Sequence, residues 1–160
     1  MNILITGVHG FVGSNLVKAL VPEHTIFGLD IVAPKKEGVK KTFFWEDLPS
    51  TSLGQSQLLD FQKIDAIIHL AGKAHDTRNK SAADVYFKVN TGLTQRIFDW
   101  FLTSKSAKKF IFFSTVKSAA DRVEGEFLTE ECVPTPVGPY GESKIKAEDY
   151  IIEHFAPEAL

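Results

Sequence analysis

Tyr140 and Lys144 have the side-chain types and the spacing of a proton-transfer pair. Four residues advance an α-helix by about 6 Å and return to nearly the same face, so the ammonium group would lie within electrostatic reach of the phenol. A phenol, whose ordinary pKa is about 10, is a poor base at neutral pH, and a nearby positive charge lowers that pKa. The pair therefore predicts a general acid/base, on a helix that the pattern indicates from Tyr140 to Phe155.

Ser114 and Thr115 are candidate hydroxyl groups for the same chemistry, because they close an apolar segment that begins at Lys109 and precedes the Tyr140 helix. Open α/β sheets bind ligands at the carboxyl ends of their parallel strands. Thr115 would then hydrogen-bond the substrate hydroxyl or carbonyl group that reacts. The simpler interpretation is a cap for local backbone groups, and it fits Ser114 better than Thr115.

Three glycines, Gly7, Gly10 and Gly13, separate an apolar segment at 2–6 from a helical pattern that begins at Ser14. Without a Cβ these residues permit a tight turn and a close backbone approach to a pyrophosphate. The start of the helix adds free N–H groups and a favourable dipole. Because a strand precedes the glycines and a helix follows them, the segment predicts a phosphate-binding loop, although any strand-to-helix turn can use glycine.

Asp30 ends the second apolar segment, where a carboxylate can accept hydrogen bonds from the hydroxyls of an adenosine ribose. A negative charge there would repel a 2′-phosphate, which favours NAD over NADP. Lys35 and Lys36 follow closely and work against this preference. The alternative is that Asp30 only caps the strand or begins a turn.

Apolar segments alternate with helical patterns along the whole chain, which predicts a doubly wound α/β fold with a parallel sheet covered on both faces. The long helical pattern at 81–104 has apolar residues at steps of four, namely Val85, Val89, Leu93, Ile97 and Phe101. We expect one domain over residues 1–160. The predicted strands are 2–6, 25–30, 66–70 and 109–114, with an edge strand at 42–45, and the predicted helices are 14–21, 55–62, 81–104 and 140–155.

Composition excludes several classes of partner. The chain has 160 residues, 44% of them hydrophobic, and a formal net charge of -2, so it has no basic field for a phosphate backbone and nucleic acid is not expected. No apolar run is long enough for a membrane span, and no signal peptide or metal-ligand spacing is evident. The single cysteine, Cys132, suits a reducing compartment. We expect a cytoplasmic protein with His69 in its core.

Several motifs, taken in order, resemble the extended short-chain dehydrogenases/reductases of the NAD-dependent epimerase/dehydratase family. The likeness extends from Asn2 to Tyr150. The motifs are GVHGFVG at 7–13, the strand-ending Asp30, HLAG at 69–72, Asn90-Thr91-Gly92, FFSTVKSAA at 112–120 and Pro139-Tyr140-Gly141-Glu142-Ser143-Lys144.

This resemblance implies a Rossmann-like fold, NAD as the cofactor, and Thr115, Tyr140 and Lys144 as the catalytic triad. The glycine loop would take the pyrophosphate, Asp30 the adenosine ribose, Lys144 the nicotinamide ribose, and Asn90 would order the long helix near the site. Asp47 and Leu48 would lie near the adenine. The cofactor contacts implied are Gly7, Gly10, Phe11, Val12, Gly13, Asp30, Asp47, Leu48, Leu70, Ala71, Gly72, Asn90, Tyr140 and Lys144.

The resemblance also implies a reaction, namely hydride exchange between a sugar carbon and the nicotinamide, with Tyr140 moving the hydroxyl proton. Family members that eliminate water have an Asp-Glu pair after the catalytic Thr, whereas this chain has Val116-Lys117. A 4,6-dehydratase is therefore disfavoured. A 4-epimerase and a 4-keto reductase acting on a nucleotide sugar, above all a UDP-sugar, both remain open, and a homodimer is compatible with either.

The chain is about half as long as members of this family, so we expect it to lack the C-terminal substrate-binding lobe and to be truncated relative to them. This length keeps a second class open, a non-catalytic NAD-binding sensor or interaction module. The intact Thr115, Tyr140 and Lys144 argue against that class. A third interpretation, a phosphate-binding α/β domain unrelated to nicotinamide, would require Tyr140 and Lys144 to be coincidental.

Overall fold

The computed structural model describes residues 1–48, 63–73, 82–123 and 125–155. The chain divides into two compact units. The first comprises 1–71 and 96–113, and the second comprises 72–95 and 114–160. The short helix predicted at 55–62 lies outside the described residues, and the single domain over 1–160 stays a prediction.

The first unit contains a five-stranded sheet in which every neighbouring pair of strands is parallel, in the order β3-β2-β1-β4-β5. This arrangement confirms the predicted parallel α/β, Rossmann-like fold. The first two strands have the predicted bounds, and the edge strand β3 begins earlier than predicted. The strands are β1 Asn2–Thr6, β2 Thr25–Asp30, β3 Val39–Phe44, β4 Ala66–His69 and β5 Lys109–Phe112.

The central strands β1 and β4 are buried on both faces, as their unbroken apolar sequence predicts. Leu4 and Ile5 point to opposite faces of β1, and both are 0% exposed. On one face, Ile5 packs with Val8 and Val17 in an apolar cluster. The carboxyl end of β1, where the glycine loop begins, is therefore held by a buried apolar cluster.

Strand β5 departs from the prediction of a fully buried strand. Ile111 is 46% exposed, and exposed and half-buried residues alternate along the strand. The reason is its position, because β5 is the last strand of the described sheet and has β4 as its neighbour. An apolar run does not by itself reveal where a strand lies in the sheet order.

Helices α1 and α5 begin before their predicted starts at Ser14 and Tyr140, and the short helix α4 lies where no helix was predicted. The stretch at 83–103 is helical throughout and contains a π-helical segment, Phe87–Gly92, which steps of four could not reveal. Pro139 lies in the first turn of α5, where its missing N–H costs nothing. The helices are α1 Phe11–Leu20, α2 Ala83–Tyr86, α3 Leu93–Thr103, α4 Val116–Ala119 and α5 Gly138–His154.

A membrane-spanning helix is not found among the residues that the structure describes, since none of their helices is both long and apolar enough.

Candidate functional site

The glycine loop turns sharply between β1 and α1. Gly7 has a φ of +68°, and its N–H donates to the Leu29 carbonyl oxygen at 2.8 Å. Gly10 N–H donates back to the Gly7 carbonyl oxygen at 3.0 Å. A Cβ on Gly13 would overlap that same carbonyl oxygen. The turn therefore requires glycine at both 7 and 13.

Helix α1 begins with features that suit an anion. Gly10 is the N-cap and provides no side-chain cap, and the first turn has no acidic residue. The first N–H groups of a helix have no partner within it and carry partial positive charge. Phe11 is 86% exposed and Val12 is 45% exposed, so the backbone of this turn is accessible. These N–H groups could hold an anion such as a pyrophosphate.

The carboxylate of Asp30 fixes this loop to the end of β2. One oxygen accepts the His9 N–H at 2.9 Å, and the other accepts the Ile31 N–H at 2.8 Å. Asp30 is 9% exposed. A carboxylate has about four lone-pair sites, so each oxygen retains acceptor capacity for a ribose hydroxyl. Lys36, which could have weakened the preference for NAD, donates its Nζ to Ser14 Oγ at 2.7 Å.

Thr6 holds the segment that follows β4. Its Oγ1 accepts the N–H groups of Leu70 at 3.1 Å and Ala71 at 2.9 Å, and it lies 2.6 Å from His69 Nδ1. His69 is fully buried, which confirms its assignment to the core. The predicted cofactor neighbours Leu70 and Ala71 are thus anchored to the last residue of β1 by a side chain that the sequence did not single out.

The predicted adenine neighbours form a short turn after β3. Asp47 accepts the Phe44 N–H at 2.9 Å, and Leu48 is only 4% exposed. Arg96 donates to the carbonyl oxygens of Trp45 at 3.0 Å and Leu48 at 3.1 Å. Arg96 was not predicted, and its two hydrogen bonds tie this turn to α3.

The second unit contains Tyr140 and Lys144 four residues apart in α5, as predicted. Tyr140 is half-buried, and its ring meets the buried Tyr86 ring edge to face, with 6.4 Å between centroids. Lys144 is 6% exposed. Burial lowers the pKa of Lys144 to about 8, and the negative charge of Glu148 opposes this effect. Lys144 therefore titrates closer to neutrality than an ordinary lysine.

Thr115 is the N-cap of α4, where its Oγ1 accepts the Lys117 N–H at 3.3 Å. Ser114 instead donates its hydroxyl to Glu148 in α5. The expectation that capping fits Ser114 better than Thr115 is therefore wrong, because the helix begins at Val116, directly after Thr115. Thr115 remains half-buried.

Asn90 lies in the π-helical segment and is 1% exposed. It bonds both backbone groups of Lys73, which follows the exposed Gly72, and it bonds Ser143 in α5. Ser143 and Glu148 were missed as supporting residues. The four-residue spacing of Glu148 from Lys144 was a usable signal, whereas nothing in the sequence indicated that Ser143 would meet Asn90.

The sequence matches the profile of the NAD dependent epimerase/dehydratase family over residues 3–157. A UDP-glucose 4-epimerase of Vibrio cholerae is 30% identical over 94% of this chain and 46% of its own length. The solved UDP-glucuronic acid 4-epimerase from Bacillus cereus in complex with NAD is 27% identical, with a TM-score of 0.71 over 96% of this chain and 52% of that one. MoeE5 in complex with UDP-glucose and NAD, at 23% identity and a TM-score of 0.75, covers 99% of this chain and 50% of its own and supports the fold alone.

The parallel sheet and the glycine turn that follows β1 define a Rossmann-like fold. The profile match covers nearly the whole chain, and the chain therefore belongs to the NAD dependent epimerase/dehydratase family. It spans about half the length of the relatives that it matches.

Proposed function

We propose that this chain contains the NAD-binding and proton-transfer residues of a nucleotide-sugar 4-epimerase. The observation that carries the proposal is the buried Lys144 ammonium, four residues from Tyr140 in one helix. Burying a lysine costs free energy, and titratable groups with strongly shifted pKa values cluster at functional sites. The named relatives support UDP-sugars as the substrate class.

The first unit would hold the cofactor, whose nicotinamide accepts and returns a hydride when it is bound. The glycine loop and the first turn of α1 would bind the pyrophosphate, because their N–H groups and dipole favour anions. Asp30 would bind the adenosine ribose through its remaining acceptor sites. Asp47 and Leu48 would line the adenine, and Leu70 and Ala71 would line the cofactor further along.

The second unit would supply the acid/base chemistry. Tyr140 takes the proton of the reacting sugar hydroxyl onto its phenol oxygen and later returns it. The Lys144 ammonium would favour the phenolate, and the family resemblance implies that it would also contact the nicotinamide ribose. Thr115, whose hydroxyl hydrogen stays available while Oγ1 accepts the Lys117 N–H, hydrogen-bonds the reacting oxygen.

A 4-keto reductase would use the same three side chains, so it is the runner-up. Elimination of water fits poorly, because the positions after Thr115 are Val116 and Lys117 and offer no acidic pair. Lys117 is itself occupied by an ion pair with Asp121, at 2.5 Å.

Cofactor binding is tested by thermal denaturation with and without NAD. Binding to the native state raises the melting temperature, and Gly10→Asp should abolish the rise by adding negative charge where the pyrophosphate binds. Asn15→Asp adds the same charge further along α1 and should retain the rise. An unchanged response in Gly10→Asp would reject the assignment of the loop.

The reaction is tested by incubating the complete protein with NAD and a panel of UDP-sugars and following the configuration at the sugar C4. Tyr140→Phe should abolish turnover while NAD still stabilises the protein. Retained turnover in this variant would refute the acid/base role, and net reduction of a 4-keto sugar without epimerisation would favour the runner-up.

A further inference from the structure

Ser143 lies one residue before Lys144 in α5 and is 0% exposed. Its hydroxyl donates to the Tyr140 carbonyl oxygen at 2.9 Å. The same hydroxyl accepts a hydrogen bond from Asn90 Nδ2, also at 2.9 Å. A buried side chain therefore connects the π-helical segment with the backbone of the proposed acid/base.

The directions of these bonds are fixed by Lys73. Its backbone N–H can only donate, so the Asn90 atom that lies 2.7 Å away must be the carbonyl oxygen Oδ1. Asn90 Nδ2 then donates to the Lys73 carbonyl oxygen at 3.2 Å and to Ser143. Since Asn90 Nδ2 has no lone pair to offer, the Ser143 hydrogen is directed to the Tyr140 carbonyl oxygen.

This connection matters because Tyr140 lies in the first turn of α5. The first turn of a helix is where the backbone frays most readily, and the N-cap residue of α5, Val137, provides no side-chain cap. The Tyr140 ring is held at its edge by Tyr86, but that contact does not fix the backbone. Ser143, held by the buried Asn90, adds a side-chain hydrogen bond to the Tyr140 carbonyl oxygen beyond the one that the helix itself makes there.

We propose that Ser143 is a positioning residue, which with Asn90 sets the backbone of Tyr140 and hence the direction in which its phenol leaves α5. The inference rests on the proposed function, because the direction matters only if Tyr140 transfers a proton. It predicts that the π-helical segment acts on the reaction through hydrogen bonds rather than by touching the substrate. A misplacement of about 1 Å in a catalytic group can cost about a hundredfold in rate.

The test compares Ser143→Ala with Thr91→Val. Thr91 Oγ1 donates to the Ser143 carbonyl oxygen at 2.8 Å, so Thr91→Val breaks a hydrogen bond between the same two segments without touching the Ser143 hydroxyl. The readout is the carbon NMR signal of the Tyr140 ring. The chain has three tyrosines, so this signal can be assigned by its loss in Tyr140→Phe. Turnover of a UDP-sugar with NAD is measured in parallel.

Ser143→Ala should shift the Tyr140 ring signal and lower kcat by about tenfold or more, with KM and the NAD dissociation constant unchanged. Thr91→Val should lower stability but leave the Tyr140 ring signal and kcat unchanged. Ser143→Cys, which keeps a weak donor, should give an intermediate signal and rate, and it serves if Ser143→Ala does not fold.

An unmoved signal in Ser143→Ala, or the same shift and rate loss in Thr91→Val, would overturn the inference. Retained turnover in Tyr140→Phe would instead overturn the proposed function and leave the measured signal shift standing.

Discussion

Thr6 Oγ1 lies 2.6 Å from Nδ1 of His69, and this contact fixes the tautomer of the histidine. The two lone pairs of Thr6 accept the N–H groups of Leu70 and Ala71, so its single hydrogen must go to His69. Nδ1 is then an acceptor, and the ring hydrogen lies on Nε2. One buried hydroxyl thus orders the carboxyl ends of both β1 and β4, where the cofactor would bind.

Thr6→Val should be strongly destabilising although it preserves the shape of the side chain. The variant removes a partner from two backbone N–H groups and from a buried imidazole, and each unsatisfied group costs about 1–3 kcal/mol. We expect a loss of about 3 kcal/mol or more in the free energy of unfolding, measured by urea denaturation. Thr6→Ser keeps the hydroxyl and should lose much less. Equal losses in the two variants would show that the methyl group, not the hydroxyl, matters.

Asp30→Asn should weaken the glycine loop as well as the choice of cofactor. An amide nitrogen cannot accept, so the variant loses the His9 or the Ile31 N–H bond, at a cost of about 2 kcal/mol for a hydrogen bond to a charged group. Titration should give tighter binding of NAD than NADP in the wild type and a smaller ratio in Asp30→Asn. Glu37→Gln, which removes an exposed acid, should leave both properties unchanged. Tighter binding of NADP by the wild type would contradict the prediction.

Lys144 should make stability depend on pH in alkaline solution. Its pKa is about 8 in the folded chain, against an ordinary value of 10.5, so the unfolded chain binds more protons between these limits. The stability of the wild type relative to Lys144→Met should therefore rise with pH across that interval, by on the order of 3 kcal/mol. Denaturation at several pH values measures this difference, and a flat difference would contradict it.

Glu148→Gln extends the same measurement. Without the attraction of the Glu148 carboxylate, the pKa of Lys144 should fall further below its ordinary value, and the rise in stability should begin at a lower pH. Glu153→Gln, an exposed substitution later in α5, is the matched control and should leave the onset unchanged. The same onset in wild type and Glu148→Gln would show that Glu148 does not act on Lys144.

Gly141→Ala and Gly92→Ala should have opposite effects on stability. A Cβ on Gly141 would overlap the Lys117 carbonyl oxygen and lie 3.1 Å from Pro136 Cβ, so the substitution forces α4 and α5 apart. We expect a loss of about 1–3 kcal/mol. At Gly92 the nearest atom, the Phe87 carbonyl oxygen, would be 3.8 Å away, and alanine should gain about 0.5–1 kcal/mol in helix propensity. Urea denaturation of both variants measures the contrast, and equal losses would contradict it.

The sequence predicted the order of strands and helices because each apolar segment is bounded by residues that stop it. Gly7 closes β1 and Asp30 closes β2, and both strands have the predicted ends. It could not predict that Ile111 would be half exposed, because burial of β5 depends on its place in the sheet order.

The candidate site, like the fold, could be predicted from the sequence only in part. The spacing of Tyr140 and Lys144 could be recognised from local periodicity, but the burial that lowers the pKa of Lys144 depends on the surrounding tertiary structure. The bonds of Thr6 to His69 and of Asn90 to Ser143 join residues 63 and 53 positions apart. Such pairings require the folded chain, and a single sequence carries no trace of them.

The two compact units differ in their chromophores. Both tryptophans, Trp45 and Trp100, belong to the unit that contains the sheet, whereas all three tyrosines belong to the other unit. Indole fluorescence and phenol absorbance therefore follow different parts of the chain during unfolding without any added label. If the two signals change together, the chain melts in one cooperative step, and if they separate, each unit has its own stability.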